Sequence, residues 1–117
     1  MNVNLPEAVL LRPRMYTLGG TFEEVIAFLE GYYSGMAKGN PYAIPVLEWA
    51  SFRTWLSEKM GLAPSEVFAK FRNLHADGPA ALAGMQNCLS EFRAEMKKRQ
   101  EKTLPTYSGK GRPEQKS

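Results

Sequence analysis

The stretch Thr21–Met36, TFEEVIAFLEGYYSGM, decides the fold. Thr21 and Glu24 have the spacing of a capping box, in which the hydroxyl accepts from the third backbone N–H and the carboxylate reaches back to the first. Phe22, Val25, Ile26, Leu29, Tyr33 and Met36 then recur at steps of three and four, which lays one apolar stripe along a helix. Gly39-Asn40-Pro41 stops it. A strand would alternate at every second residue, and that pattern occurs nowhere in the chain.

Working outward toward the N-terminus, NLPEAVLL predicts a short helix over residues 5–11, capped by Asn4 and with Pro6 harmless in its first turn. Pro13 ends it, because the residue before a proline is pushed out of the helical region. Toward the C-terminus, GNPYAIPV (39–46) holds two prolines and reads as an extended loop. A third helix over about 47–60 places Trp49, Phe52, Leu56 and Met60 on one face with Trp55 beside them, and Gly61 is its natural stop. A fourth opens at Pro64 or Ser65 and carries Val67, Phe68, Phe71 and Leu74. Asp77-Gly78-Pro79 opens a fifth, bearing Leu82, Met85, Leu89, Phe92 and Met96. From Gln100 onward no apolar period remains. The expectation is an all-α compact bundle of about five helices in a single domain, residues 1–99, followed by a disordered basic tail, 100–117.

Length and composition suit this. A chain of 117 residues buries enough surface to need no metal or disulfide staple. Cys88 is the only cysteine and forms no internal bridge. No run of ~18 apolar residues predicts a membrane span, the N-terminal residues lack the pattern of an export signal, and a cytoplasmic location is the expectation. The net charge of +3 is unevenly spread. Residues 1–92 hold seven Lys/Arg against nine Asp/Glu, and residues 93–117 hold eight against three. The body is therefore not a basic platform for nucleic acid.

Catalytic chemistry is poorly supplied. His75 and Cys88 are each alone, so neither a metal cluster nor a Cys/His nucleophile pair can be assembled. Cys88 borders the apolar stripe of the fifth helix and reads as a buried, inert thiol. His75 ends the fourth helix, where a cation meets the negative end of the dipole. The chain reads as non-enzymatic, with no cofactor and no metal.

Binding residues are better represented. In RPRMYTLGG (12–20), Pro13 holds the chain extended, Met15 and Tyr16 tuck against the second helix, and one glycine takes a positive φ ahead of Thr21. That makes the segment a latch between the first two helices, from which Arg12, Arg14 and Tyr16 can face a partner. Arg and Tyr dominate binding hot spots. Tyr32 and Tyr33 lie ~100° apart on a helix, so one of them reaches the surface. Tyr33 and Tyr42, with Glu30 and Glu48 close in sequence, form a second candidate patch.

Arg12-Pro13, Met15-Tyr16, Gly19, FLEGY (28–32), FRTWL (52–56) and SEF (90–92) resemble a group of small bacterial proteins with an RPxMYxG start. The likeness spans about residues 8–93. Some proteins of that kind are immunity-type companions of secreted toxins, and the resemblance implies a non-catalytic chain that docks on a protein partner and blocks it. The same RPxMY string is similar to the entry segment of gyrase-type ATPases. The helix that follows here lacks their asparagine and the Gly-rich nucleotide loops are missing, so ATP binding is not expected. Leu56–Phe71 (LSEKMGLAPSEVFAKF) resembles the helix-turn-helix of lambda-repressor-like domains, with Gly61 at the turn and Ser57 at the crowded position. On that alternative, residues 56–74 bind DNA, Pro64 and Phe68 face the groove and Arg72 is the remaining base reader.

Overall fold

A computed structural model describes the backbone of residues 4–103 and the side chains of residues 4–100. Among the described residues five helices follow one another: α1 (Leu5–Leu11), α2 (Phe22–Gly39), α3 (Ile44–Met60), α4 (Val67–Asn73) and α5 (Gly78–Thr103). One 3-10 turn, Pro13–Met15, sits between α1 and α2, and no strand occurs among the described residues. The fold is the all-α bundle that the apolar periods predict.

The helix ends obey local chemistry. Asn4 Oδ1 accepts from Glu7 N at the start of α1. Both arms of the Thr21/Glu24 box are made at the start of α2. Asp77 Oδ1 accepts from Ala80 N at 2.9 Å to open α5. α3 closes on Gly61, which takes φ of 69° and lets Leu62 N reach back to Ser57 O at 2.9 Å.

Three boundaries differ from the sequence reading. α3 begins at Ile44 rather than 47, because Pro45 falls in the first turn, where its missing N–H costs nothing. α4 begins at Val67, two or three residues late, since Pro64–Glu66 form a turn. α5 continues through residues 100–103, which extends the helical body past the boundary drawn at 99. The rest of the tail, 104–117, lies outside the described residues.

α5 is the spine of the bundle and touches each of the other four helices. Val9 and Leu10 of α1, Phe22, Val25 and Leu29 of α2, Phe52 and Leu56 of α3, and Val67 and Phe71 of α4 close over Ala81, Met85, Leu89 and Phe92. Rings dominate the middle: Trp49 stacks on Tyr33 at 5.4 Å and on Phe68 at 5.6 Å, and Phe52 meets Phe92 edge-on at 5.4 Å. Truncating one such ring to alanine costs about 3–5 kcal/mol in a packed core.

Polar clasps tie the helices around this centre. Glu30 of α2 takes a hydrogen bond from Trp49 Nε1 at 3.2 Å and an ion pair from Arg53. Trp55 Nε1 donates to Glu95 Oε1 at 3.0 Å, joining α3 to α5. Arg93 holds Glu7 at 3.1 Å and Arg72 holds Glu23 at 3.4 Å. These pairs are partly solvated, so each is worth about 0–1 kcal/mol and serves mainly to set register.

Candidate partner-binding surface

The connection between α1 and α2 is cross-linked by its own side chains. Pro13 O accepts from Tyr16 N, Thr17 N and the Thr17 hydroxyl at 3.1, 2.9 and 3.0 Å. The same hydroxyl oxygen accepts from Gly20 N at 2.9 Å. Glu24 Oε1 then gathers Gly19 N at 2.9 Å and Thr21 N at 3.2 Å, while Glu24 N donates back to Thr21 Oγ1. Two side chains thus pin the backbone from residue 13 to residue 21.

The glycine pair makes this closeness possible. Gly20 sits at φ 68°, as a glycine ahead of the Thr21 cap was expected to. A Cβ added there would lie 2.8 Å from Arg14 Cγ, and one at Gly19 would lie 2.6 Å from Glu24 Oε1. The backbone therefore rests directly on the aliphatic stem of Arg14, which fixes where its guanidinium starts.

Two local expectations are corrected. Pro13 opens a 3-10 turn instead of an extended run, since its locked φ of about −65° suits either. Met15 does not tuck against α2; it is 69% exposed. Tyr16 does lean on α2, its ring 6.0 Å from Phe28, with one edge in solvent.

Of the residues the sequence nominates, Arg12, Arg14 and Tyr16 come together on this one segment and all are exposed. Tyr42, 80% exposed, and Glu48, also exposed, belong to a different place, the corner between α2 and α3. Tyr33 is not a surface anchor. It is only 6% exposed, and its hydroxyl pKa is pushed up to about 12 by burial, then by Tyr32 and by Glu48. It lies four residues after Leu29 in the buried stripe, and the ~100° turn per residue sends Tyr32 outward instead. Glu30 is likewise taken up by Arg53 and Trp49, so it adds no free carboxylate to that corner.

Two surface groups are not singled out in the sequence reading: Leu18 is 98% exposed, and Leu11 also faces outward. Tyr32 takes the surface place expected of one of the tyrosine pair. Leu18 belongs to no helical period, lying between Thr17 and Gly19, and that isolation was the available signal. Tyr16, Phe28 and Tyr32 form a continuous strip of rings, with Phe28 and Tyr32 6.2 Å apart.

Charge separates this segment from the rest. Arg53, Arg72, Arg93 and Arg99 each pair with a glutamate. Arg12 and Arg14 have no carboxylate partner among the described residues, and no acidic residue occurs between Glu7 and Glu23.

Elsewhere the chemistry is muted. His75 Nδ1 lies 2.9 Å from Phe71 O at the end of α4, the capping position expected of it. Cys88 is half-buried, and its thiol pKa is raised by burial and by Glu91, which suits an inert thiol. No group of three His, Cys, Asp or Glu among the described residues could hold a metal ion. No helix there is long and apolar enough to cross a membrane.

At the α3–α4 corner, Gly61 and buried Ser57 occupy the places the helix-turn-helix likeness assigns them. Phe68, expected to face DNA, is buried with Val67 and Phe71, because seven residues of helix must spend their apolar face on the core. Arg72 is held by Glu23 and by the carbonyl of His75. The exposed residues that open the turn are Ala63, Pro64, Ser65 and Glu66, with an acid nearest the helix.

No family model, curated protein or solved structure matches the chain. What the surface offers a partner is therefore read from its own chemistry.

Proposed function

We propose that this chain is a non-catalytic protein-binding module that docks on a partner protein and occludes it in the bacterial cytoplasm. It would act as do the immunity-type toxin companions that its RPRMYTLG segment resembles. The observation that supports the reading is the pinned segment 11–18, which holds Leu11, Met15 and Leu18 in water beside Arg12, Arg14 and Tyr16. Exposed apolar groups on a flexible loop would cost ordering entropy on binding. Here Thr17 and Glu24 have already fixed the backbone, so more of the contact energy is left for affinity. A stable interface covers ~800 Å² on each partner, so neighbours such as Tyr32 would join the contact.

The test is affinity purification of the tagged protein from nuclease-treated extract of its native host, at low and high salt, with Leu18→Asp in parallel. One stoichiometric protein should survive high salt with the native chain. It should be lost with Leu18→Asp, whose melting temperature should match the parent's. Retention of nucleic acid alone, at low salt and only without nuclease, would contradict the reading and return interest to residues 56–74.

A further inference from the structure

We propose that the partner presents an acidic amphipathic segment to this surface, seating an apolar side chain between α1 and α5 and laying carboxylates on Arg12 and Arg14. The inference rests on the protein-binding reading above and specifies the chemistry of the partner.

Three observations converge on it. First, an open groove of about 190 Å³ runs between α1 and α5, lined by Glu7, Leu10, Leu11, Gln86, Leu89 and Ser90. Cavities of ~150 Å³ take up a benzene-sized group, so the groove has room for one leucine or phenylalanine side chain. Its floor is apolar, from buried Leu10 and Leu89, and the Glu7 carboxylate on its wall is paired with Arg93. Second, Leu11 lines the groove and is followed directly by exposed Arg12, so the groove and the pinned segment are continuous along the backbone. Third, among the described residues these two arginines are the ones left without a carboxylate, and Arg14 is held by its stem on Gly20.

Arginine accepts carboxylates in a planar two-pronged geometry, and pre-positioning lowers the cost of forming it. A basic partner would face two arginines that hold no ion pair among the described residues, while Glu7 is taken up by Arg93 and Glu24 by the backbone of Gly19 and Thr21, which discriminates against it. A concave groove also suits an inserted side chain better than the flat face of a bilayer.

The experiment uses the full chain and two labelled amphipathic peptides of about four helical turns. Both carry leucine at steps of three and four; one has glutamate and the other lysine on the polar face. Fluorescence anisotropy gives affinities, and amide shifts map the site. The glutamate peptide should bind at least about tenfold tighter than the lysine peptide, with shifts at residues 10–18 and 86–90. The double variant Arg12→Glu, Arg14→Glu should reverse the preference while keeping the native melting temperature. Equal binding of the two peptides, or shifts confined to the Tyr42 corner, would overturn the inference. So would phosphatidylserine vesicles shifting residues 10–18 when neither peptide does. Failure here is separable from failure of the broader reading. If a purified partner is lost with Leu18→Asp yet indifferent to the arginine double variant, the partner chemistry is wrong and the docking role stands. If no partner exists, both fall.

Discussion

The two connections flanking α2 share a composition and differ in construction. Residues 12–21 and residues 40–43 are both interrupted by proline and edged by glycine. The first is pinned by the Thr17 hydroxyl and the Glu24 carboxylate, and its backbone rests on Arg14. The second is a tight corner in which Asn40 caps α2, accepts from Tyr42 N at 3.1 Å and hands the chain to α3. Its neighbours Tyr42 and Ile44 stand in solvent without such support. Glycine and proline mark where a helix stops. Whether the stop becomes a rigid display or a simple bend depends on the polar side chains that return to its backbone.

The sharpest way to break this contrast is through the glycines. Gly20→Ala would force a side chain into the left-handed region and onto Arg14, and should cost about 1–3 kcal/mol in chemical denaturation. Gly39→Ala meets nothing within 4 Å and should be neutral or stabilising by up to about 1 kcal/mol. Equal losses would mean the first connection is no tighter than the second. Next in size, Glu24→Ala removes the acceptor for two backbone N–H groups and should cost about 1–2 kcal/mol. Asn40→Ala removes one exposed hydrogen bond and should cost about half as much.

Tyr33, between the two connections, adds a pH test. Its folded pKa of about 12 stands above the ordinary value of 10, so the folded state holds that proton more tightly than the unfolded chain. The corresponding stability is complete below pH 10 and is lost as pH rises toward 12. Tyr33→Phe should flatten that part of the denaturation-versus-pH curve, and an unchanged slope would show that the hydroxyl is not buried against charge. The smallest effect is expected at Leu18. Leu18→Asp should change stability by no more than about 0.5 kcal/mol, because the side chain packs on nothing.

Much of this architecture was legible in the residues, for local reasons. The Thr21/Glu24 box, Gly61 and Asp77 act within a turn of their own positions, and the stripes of α2, α3 and α5 follow from helical period alone. The start of α3 is ambiguous in sequence because Pro45 looks the same in a loop as in a first turn. The candidate surface is only half legible. Arg12, Arg14 and Tyr16 are exposed as their sequence reading expects, whereas Tyr33 is buried because it continues the stripe from Leu29. The pairing of Glu30 with Trp49 and Arg53 spans 19 and 23 residues, and nothing in local pattern announces it. The same holds for the α1–α5 groove, whose walls lie some 80 residues apart. Leu18 escaped notice because sequence patterns reward apolar residues that repeat.

The central claim is that residues 11–18 are where this protein meets another. It is tested most directly by placing a photo-crosslinking amino acid at Leu18 and, separately, at Tyr42, and irradiating cells of the native host. The account predicts one dominant protein adduct from position 18, reduced when Arg12 and Arg14 are replaced by glutamate. No adduct at position 18, or an adduct formed only at position 42, would contradict it.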